Sequence, residues 1–216
     1  MNDSPRQPPA DVQPPAPRTQ PVFVEERDST AIVRINRPAE RNSLSVATLE
    51  ELASTIERLA ARADLRALVF TGAGDVFASG ANIRELRELT PESARGFARR
   101  GQRLMQRIAD ATQLTVAAVN GYCMGGGLDL ALACDLRVAS PAAVFAHPGA
   151  RLGIITGWGG TQRLPRVVGA ARAVEMFATA RRLSAREALE AGLVSRVGAD
   201  ALACALELAS RLARAG

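Results

Sequence analysis

Seven short apolar runs, PVFVEE, TAIVRIN, RALVFTG, TVAAVNG, LRVAS, AVFA and LVSRV, are interleaved along this chain with longer amphipathic stretches. No other feature constrains the fold as tightly. β-branched residues at alternate positions mark the first two runs as strands, and RALVFTG reads as a strand buried on both faces. Between the runs, Ser45 is placed to cap a helix reaching about Ala63, with Leu49, Leu52, Ile56 and Leu59 on one face. A long helix is predicted from about Pro91 to Asp110 and another over GLDLALACD. Residues 159–180, SAREALEAG and the segment from about Asp200 also read as helical. Strands alternating with helices imply an α/β fold. Residues 1–20 are rich in Pro and Gln and poor in apolar residues. They are expected to form a disordered tail, with one folded domain over 21–216.

Several chemistries are excluded at this stage. No apolar run is long enough to cross a bilayer, and the N-terminus has no secretory apolar core, so neither a membrane span nor a signal peptide is expected. Three cysteines, Cys123, Cys134 and Cys204, are an odd number without CxxC spacing, which points to free thiols and the cytoplasm. His147 is the only histidine, so a multi-histidine metal centre is excluded. All 27 basic residues are arginine; they are scattered and the net charge is only +5, which fits solvated helix faces and not a nucleic-acid groove. Without lysine there is no Walker A motif. GYCMGGGLDL does not fit G-x-G-x-x-G, and no G-x-S-x-G elbow is present.

Two glycine-rich loops remain, each following a buried apolar strand. One is Phe77–Ile83 (FASGANI) and the other Gly121–Asp129 (GYCMGGGLD). Glycine lets a backbone approach a ligand closely. A helix beginning at Gly126 would add the positive end of its dipole. Two N–H groups converging on one point form an oxyanion hole; the alternative is a pair of ordinary strand-to-helix turns.

The segments NRPAERNSL, VFASGANIREL, AAVNGYCMGGGLDLALACDLRVAS and GIITGWGGTQRLPRVVG resemble, in this order, successive motifs of the enoyl-CoA hydratase/isomerase (crotonase) superfamily. The resemblance covers nearly all of residues 22–212. It implies a crotonase-like fold: repeated ββα units forming two roughly perpendicular sheets surrounded by helices. It also implies an acyl-CoA thioester as substrate, with its carbonyl held by the backbone N–H groups of Ala81 and Gly126 and CoA carried as part of the substrate, not as a cofactor. Arg41, Ser43 and Leu44 resemble family contacts to CoA, as do Ala81, Asn82, Ile83 and Arg84. Gly125 flanks the oxyanion glycine, and Trp158 is a candidate for the acyl pocket or for simple packing beneath it. Family precedent implies a homo-oligomer, trimeric or hexameric. The family's further C-terminal helices are expected to be missing after LASRLARAG.

The same resemblance places the acid–base chemistry. Family hydratases use two glutamates sharing one water. The first position is Asp129 here, one methylene shorter. The second, after the proline of a motif like HPE, is Gly149, which carries no side chain. His147 is a candidate substitute base, and Asp135 reads as structural. Enoyl-CoA hydration is the leading expectation. The alternatives are isomerisation, decarboxylation or naphthoate-synthase-like chemistry on the same fold, or a catalytically degraded acyl-CoA-binding homologue.

Overall fold

The computed structural model describes residues 20–215, with side chains described to residue 211. The expected tail therefore lies almost wholly outside the described residues. The chain begins with an antiparallel pair, β1 (Val22–Arg27) and β2 (Thr30–Ile35), followed by β3 (Ser43–Leu44) and α1 (Val46–Ala60). Next come β4 (Ala67–Gly72), β5 (Val76–Ala78), β6 (Gly80–Ala81), α2 (Ile83–Arg87) and α3 (Pro91–Ala109). The middle of the chain forms β7 (Leu114–Val119), β8 (Tyr122–Met124), α4 (Gly126–Ala133), β9 (Leu136–Ala139) and β10 (Val144–Ala146). It ends with α5 (Gly160–Val168), α6 (Ala170–Thr179), β11 (Leu183–Ser184), α7 (Ala185–Glu190), β12 (Arg196–Val197) and α8 (Ala201–Ala215).

The strands form a six-stranded sheet in the order β1-β2-β4-β7-β9-β12, a four-stranded sheet β11-β10-β8-β5, and the small pair β3-β6. The repeating unit is visible in this order. β4, β7 and β9 enter the large sheet, and the strand after each one, β5, β8 and β10, enters the second sheet before the chain turns into helix. The large sheet is parallel from β2 onward, and its inner strands β4 and β7 are buried on both faces. Along β4, Leu68 and Phe70 face the main core whereas Val69 faces the layer built by α8, with Ala201 and Ala205. This two-sided burial explains why the runs are continuously apolar.

Helix boundaries follow their caps. Ser45 is the N-cap of α1 and accepts a hydrogen bond from the Thr48 N–H, and the predicted face Leu49, Leu52, Ile56 and Leu59 is fully buried. Ser45→Ala is expected to cost about 1 kcal/mol and to lower Tm by roughly 2–4 °C, read by thermal denaturation. Two expectations need correcting. The helix read over 159–180 is two helices, broken at Gly169, whose φ of 83° is left-handed. The loops read over Phe77–Ile83 and Gly121–Asp129 contain the end of β5, all of β6 and all of β8, strands too short for any period to show.

Candidate active site

The two segments expected to hold CoA are paired in space. In the β3-β6 ladder Ser43 lies opposite Gly80 and Leu44 opposite Ala81. Asn42 fixes the first segment: its side-chain amide donates to the carbonyls of Ala73 (2.9 Å) and Val76 (2.6 Å), and its side-chain oxygen accepts from the Arg37 N–H (2.9 Å). Arg41 is exposed, with its guanidinium 5.1 Å above the Tyr122 ring. Arg41, Ser43, Ala81, Asn82, Ile83 and Arg84 line one recess of about 540 Å³. Leu44 differs from the expectation, because its side chain is fully buried in the core and supports the recess from behind.

Ser79, Ala81 and Ile83 also line a smaller cavity of about 260 Å³, which contains Gly125, Gly126, Asp129, Gly149 and Trp158. The two strand-to-helix connections meet here. Gly80 has φ 95°, and a methyl group on it would lie 2.8 Å from the Met124 carbonyl oxygen and 3.0 Å from the Gly126 nitrogen. Only glycine tolerates both that backbone and that proximity. Gly125, at φ 51°, is the N-cap of α4 and donates its own N–H to the Ala146 carbonyl at 2.9 Å. The N–H groups of Gly126, Gly127 and Leu128 open α4 at positions that have no acceptor within the helix, and they stand at its positive end.

Asp129, in that first turn, is completely buried. The Thr156 hydroxyl donates to its Oδ2, while Oδ1 has no hydrogen-bond partner among the described residues. His147 Nε2 lies 3.4 Å from Oδ1 and is also unpartnered. Burial pushes the Asp129 carboxyl up to about 7, against the opposing pull of the Thr156 hydroxyl and the Arg163 charge. Burial pushes His147 down to about 4. Between these values both groups are neutral, so the pair is not an ion pair at neutral pH. His147 instead packs on Phe177, ring centroids 5.0 Å apart. Thr156→Val removes the hydroxyl that favours the carboxylate. If Asp129 acts in its ionised form, the variant should shift any Asp129-dependent rate limb to higher pH and lower the rate at pH 7 roughly tenfold. A pH–rate profile of the variant checks this.

Gly149 leaves no room for a side chain. A first side-chain carbon there would lie 2.5 Å from the Ile154 carbonyl oxygen. The Gly149 carbonyl in turn accepts from the Ile154 N–H at 3.0 Å. The loop from 149 to 154 has closed onto the place where a side chain would start. Trp158 both lines the cavity and packs: it is 3% exposed and lies against Phe97, with ring centroids 5.4 Å apart and the planes tilted by 43°. Asp135 is structural, since its Oδ2 accepts from the Thr115 N–H and hydroxyl, each at 2.8 Å. Sequence reasoning did not find Thr156, Phe97 or the Ile154 carbonyl. Each takes part through the path of the chain in space, and no local pattern announces it.

The model of the enoyl-CoA hydratase/isomerase family matches residues 25–216. The chain belongs to the enoyl-CoA hydratase/isomerase family. Among its relatives, the short-chain-enoyl-CoA hydratase of Clostridium acetobutylicum is 40% identical over 177 residues, covering 82% of this chain and 68% of the relative. The crotonyl-CoA hydratase of Syntrophomonas wolfei is 38% identical over 177 residues, with the same two shares. The crystal structure of an enoyl-CoA hydratase from Bacillus anthracis superposes with a TM-score of 0.86 at 37% identity, covering 90% of this chain and 77% of that one. The crotonase fold expected from the motifs is the fold observed. Among the described residues no helix is long and apolar enough to cross a membrane.

Proposed function

We propose that this chain is an enoyl-CoA hydratase that adds water across the conjugated double bond of a 2-enoyl-CoA thioester, with Asp129 as its acid–base group. The observation that carries this reading is a single buried carboxyl near neutrality, about 7, in the cavity that Ala81 and the start of α4 line. A group whose pKa matches the working pH both accepts and donates a proton readily. The thioester carbonyl accepts hydrogen bonds from the Ala81 and Gly126 N–H groups. Water attacks C3 and gives its proton to the Asp129 carboxylate, and the electron pair of the double bond moves through C2 to the thioester oxygen. The enolate collapses as the Asp129 carboxyl returns the proton to C2. The net change is H on C2 and OH on C3, with Asp129 regenerated as carboxylate. Each preorganised donor to the developing oxyanion is worth about 3–4 kcal/mol.

CoA lies along the recess of Arg41, Ser43, Asn82 and Arg84, where the two arginines meet its phosphates; no separate cofactor takes part. The protein is placed in the cytoplasm, where its free thiols stay reduced, and as a trimer or hexamer of identical chains, which sedimentation measures. A second reading, double-bond isomerisation, is favoured by Gly149: one carboxyl that moves a proton between C2 and C4 needs no partner. The test is crotonyl-CoA hydration, followed by loss of the ultraviolet absorbance of the conjugated thioester. Steady loss is the expected result. No loss at high enzyme concentration, with isomerisation of a 3-enoyl-CoA in its place, would overturn hydration.

A further inference from the structure

We infer that Trp158 is the end wall of the acyl cavity and restricts this enzyme to short acyl chains. This deepens the acyl-CoA reading above and rests on it. Trp158 follows Thr156 and Gly157 into the start of α5, and its indole lies between two helices. Its six-membered ring covers Gly126 at the start of α4, and its five-membered ring covers Gly101 in the middle of α3. A methyl group on either glycine would collide with it. Phe97, one turn before Gly101, supports the ring.

Two cavities lie against the indole. The substrate cavity, about 260 Å³, has Thr156, Gly157 and Trp158 in its lining. So does a second recess of about 620 Å³, whose other residues include Gln102, Gln106 and Arg163. No other residue lines both. These three therefore form the partition, and Trp158 is its one large side chain. Gly157 is fixed in place by the Gln102 side-chain amide, which donates to its carbonyl at 2.8 Å. The volume on the substrate side falls below the range of about 300–1,000 Å³ usual for ligand pockets. An acyl chain that grows toward Trp158 has to displace a buried indole packed on Phe97, and interiors resist added methylenes.

The experiment is the chain-length profile of kcat/KM for 2-enoyl-CoA substrates of four to twelve carbons, in the wild type, Trp158→Ala and Trp158→Leu. Leucine keeps an apolar side chain against Phe97, so it serves if the alanine variant fails to fold; thermal denaturation decides which is read. The expected wild-type ratio of C10 to C4 is about 0.01 or lower, rising at least tenfold in the folded variant. A wild type that handles C10 as well as C4, or a folded variant with an unchanged ratio, overturns the inference and leaves the hydratase reading standing. If the wild type hydrates no chain length, the hydratase reading falls. Equilibrium binding of saturated acyl-CoA thioesters of the same lengths then decides the role of Trp158 by the same ratios.

Discussion

Asp129→Asn is expected to lower kcat for crotonyl-CoA hydration by about 10²–10⁴-fold, the range for loss of a positioned acid–base group, while binding of saturated butyryl-CoA changes by less than about threefold. The substitution keeps the shape of the side chain, and its amide oxygen still accepts from the Thr156 hydroxyl that now bonds Oδ2. What disappears is the ability to take a proton from water and return it to carbon. Among the described residues no other carboxylate lines the cavity. His147, the nearest titratable group, is held neutral by burial across the working range, so it offers no replacement acid. A fall in kcat without loss of binding separates chemistry from assembly of the site. Loss of binding with it would mean that Asp129 mainly holds the first turn of α4 in place.

The same substitution is expected to change how stability depends on pH. Burial raises the Asp129 carboxyl from an ordinary 3.8 to about 7 in the folded protein. For a group raised on folding, the stability contribution is fully present below the unfolded value. It is lost as pH rises through the folded one. The shift corresponds to a loss on the order of 4 kcal/mol between about pH 4 and pH 8. Asparagine has no charge to bury. The Tm difference between variant and wild type should therefore move in favour of the variant by roughly 10 °C across that interval. His147 is displaced the other way, from 6.5 to about 4, and destabilises the fold as pH falls through that window. It is present in both proteins and largely cancels from their difference. Parallel Tm curves from pH 4.5 to 8.5 would show that water reaches the carboxyl freely.

The fold was legible where local chemistry and tertiary burial agree. Ser45 caps α1 where its residue type predicts, and the helices read from about Pro91 and over SAREALEAG begin there, each closed by a capping box, Thr90 with Ser93 and Ser184 with Glu187. β4 and β7 were legible because burial on both faces writes a continuous apolar run, and β1 and β2 by their alternating β-branched residues. The second sheet was legible only at β10, the run AVFA. β5 and β8 are three residues each, set among glycines whose obvious meaning is a turn, and only the pairing of β8 with β10 and of β5 with β8 makes them strands.

The site divides in the same way. Ala81, Gly126 and Asp129 were legible as members of a recognised motif, and the fold brings them to one cavity. Thr156 was not, because the loop that carries its hydroxyl to Asp129 bridges 27 residues of sequence. Gly149 was legible as a missing side chain, but the Ile154 carbonyl that has closed over the position was not. Trp158 offered two meanings, cavity lining and packing, and the structure gives it both.

The central claim is that one buried carboxyl, at Asp129, serves both proton transfers. The pH dependence of kcat/KM for crotonyl-CoA hydration tests it most directly, since that quantity reports the free enzyme. The catalytic cycle begins with the carboxylate. The account therefore predicts a rate that rises about tenfold per pH unit, bends near pH 7 and stays level above it, with no such limb in Asp129→Asn. A profile flat from pH 5 to pH 9, or the same limb in Asp129→Asn, would contradict it.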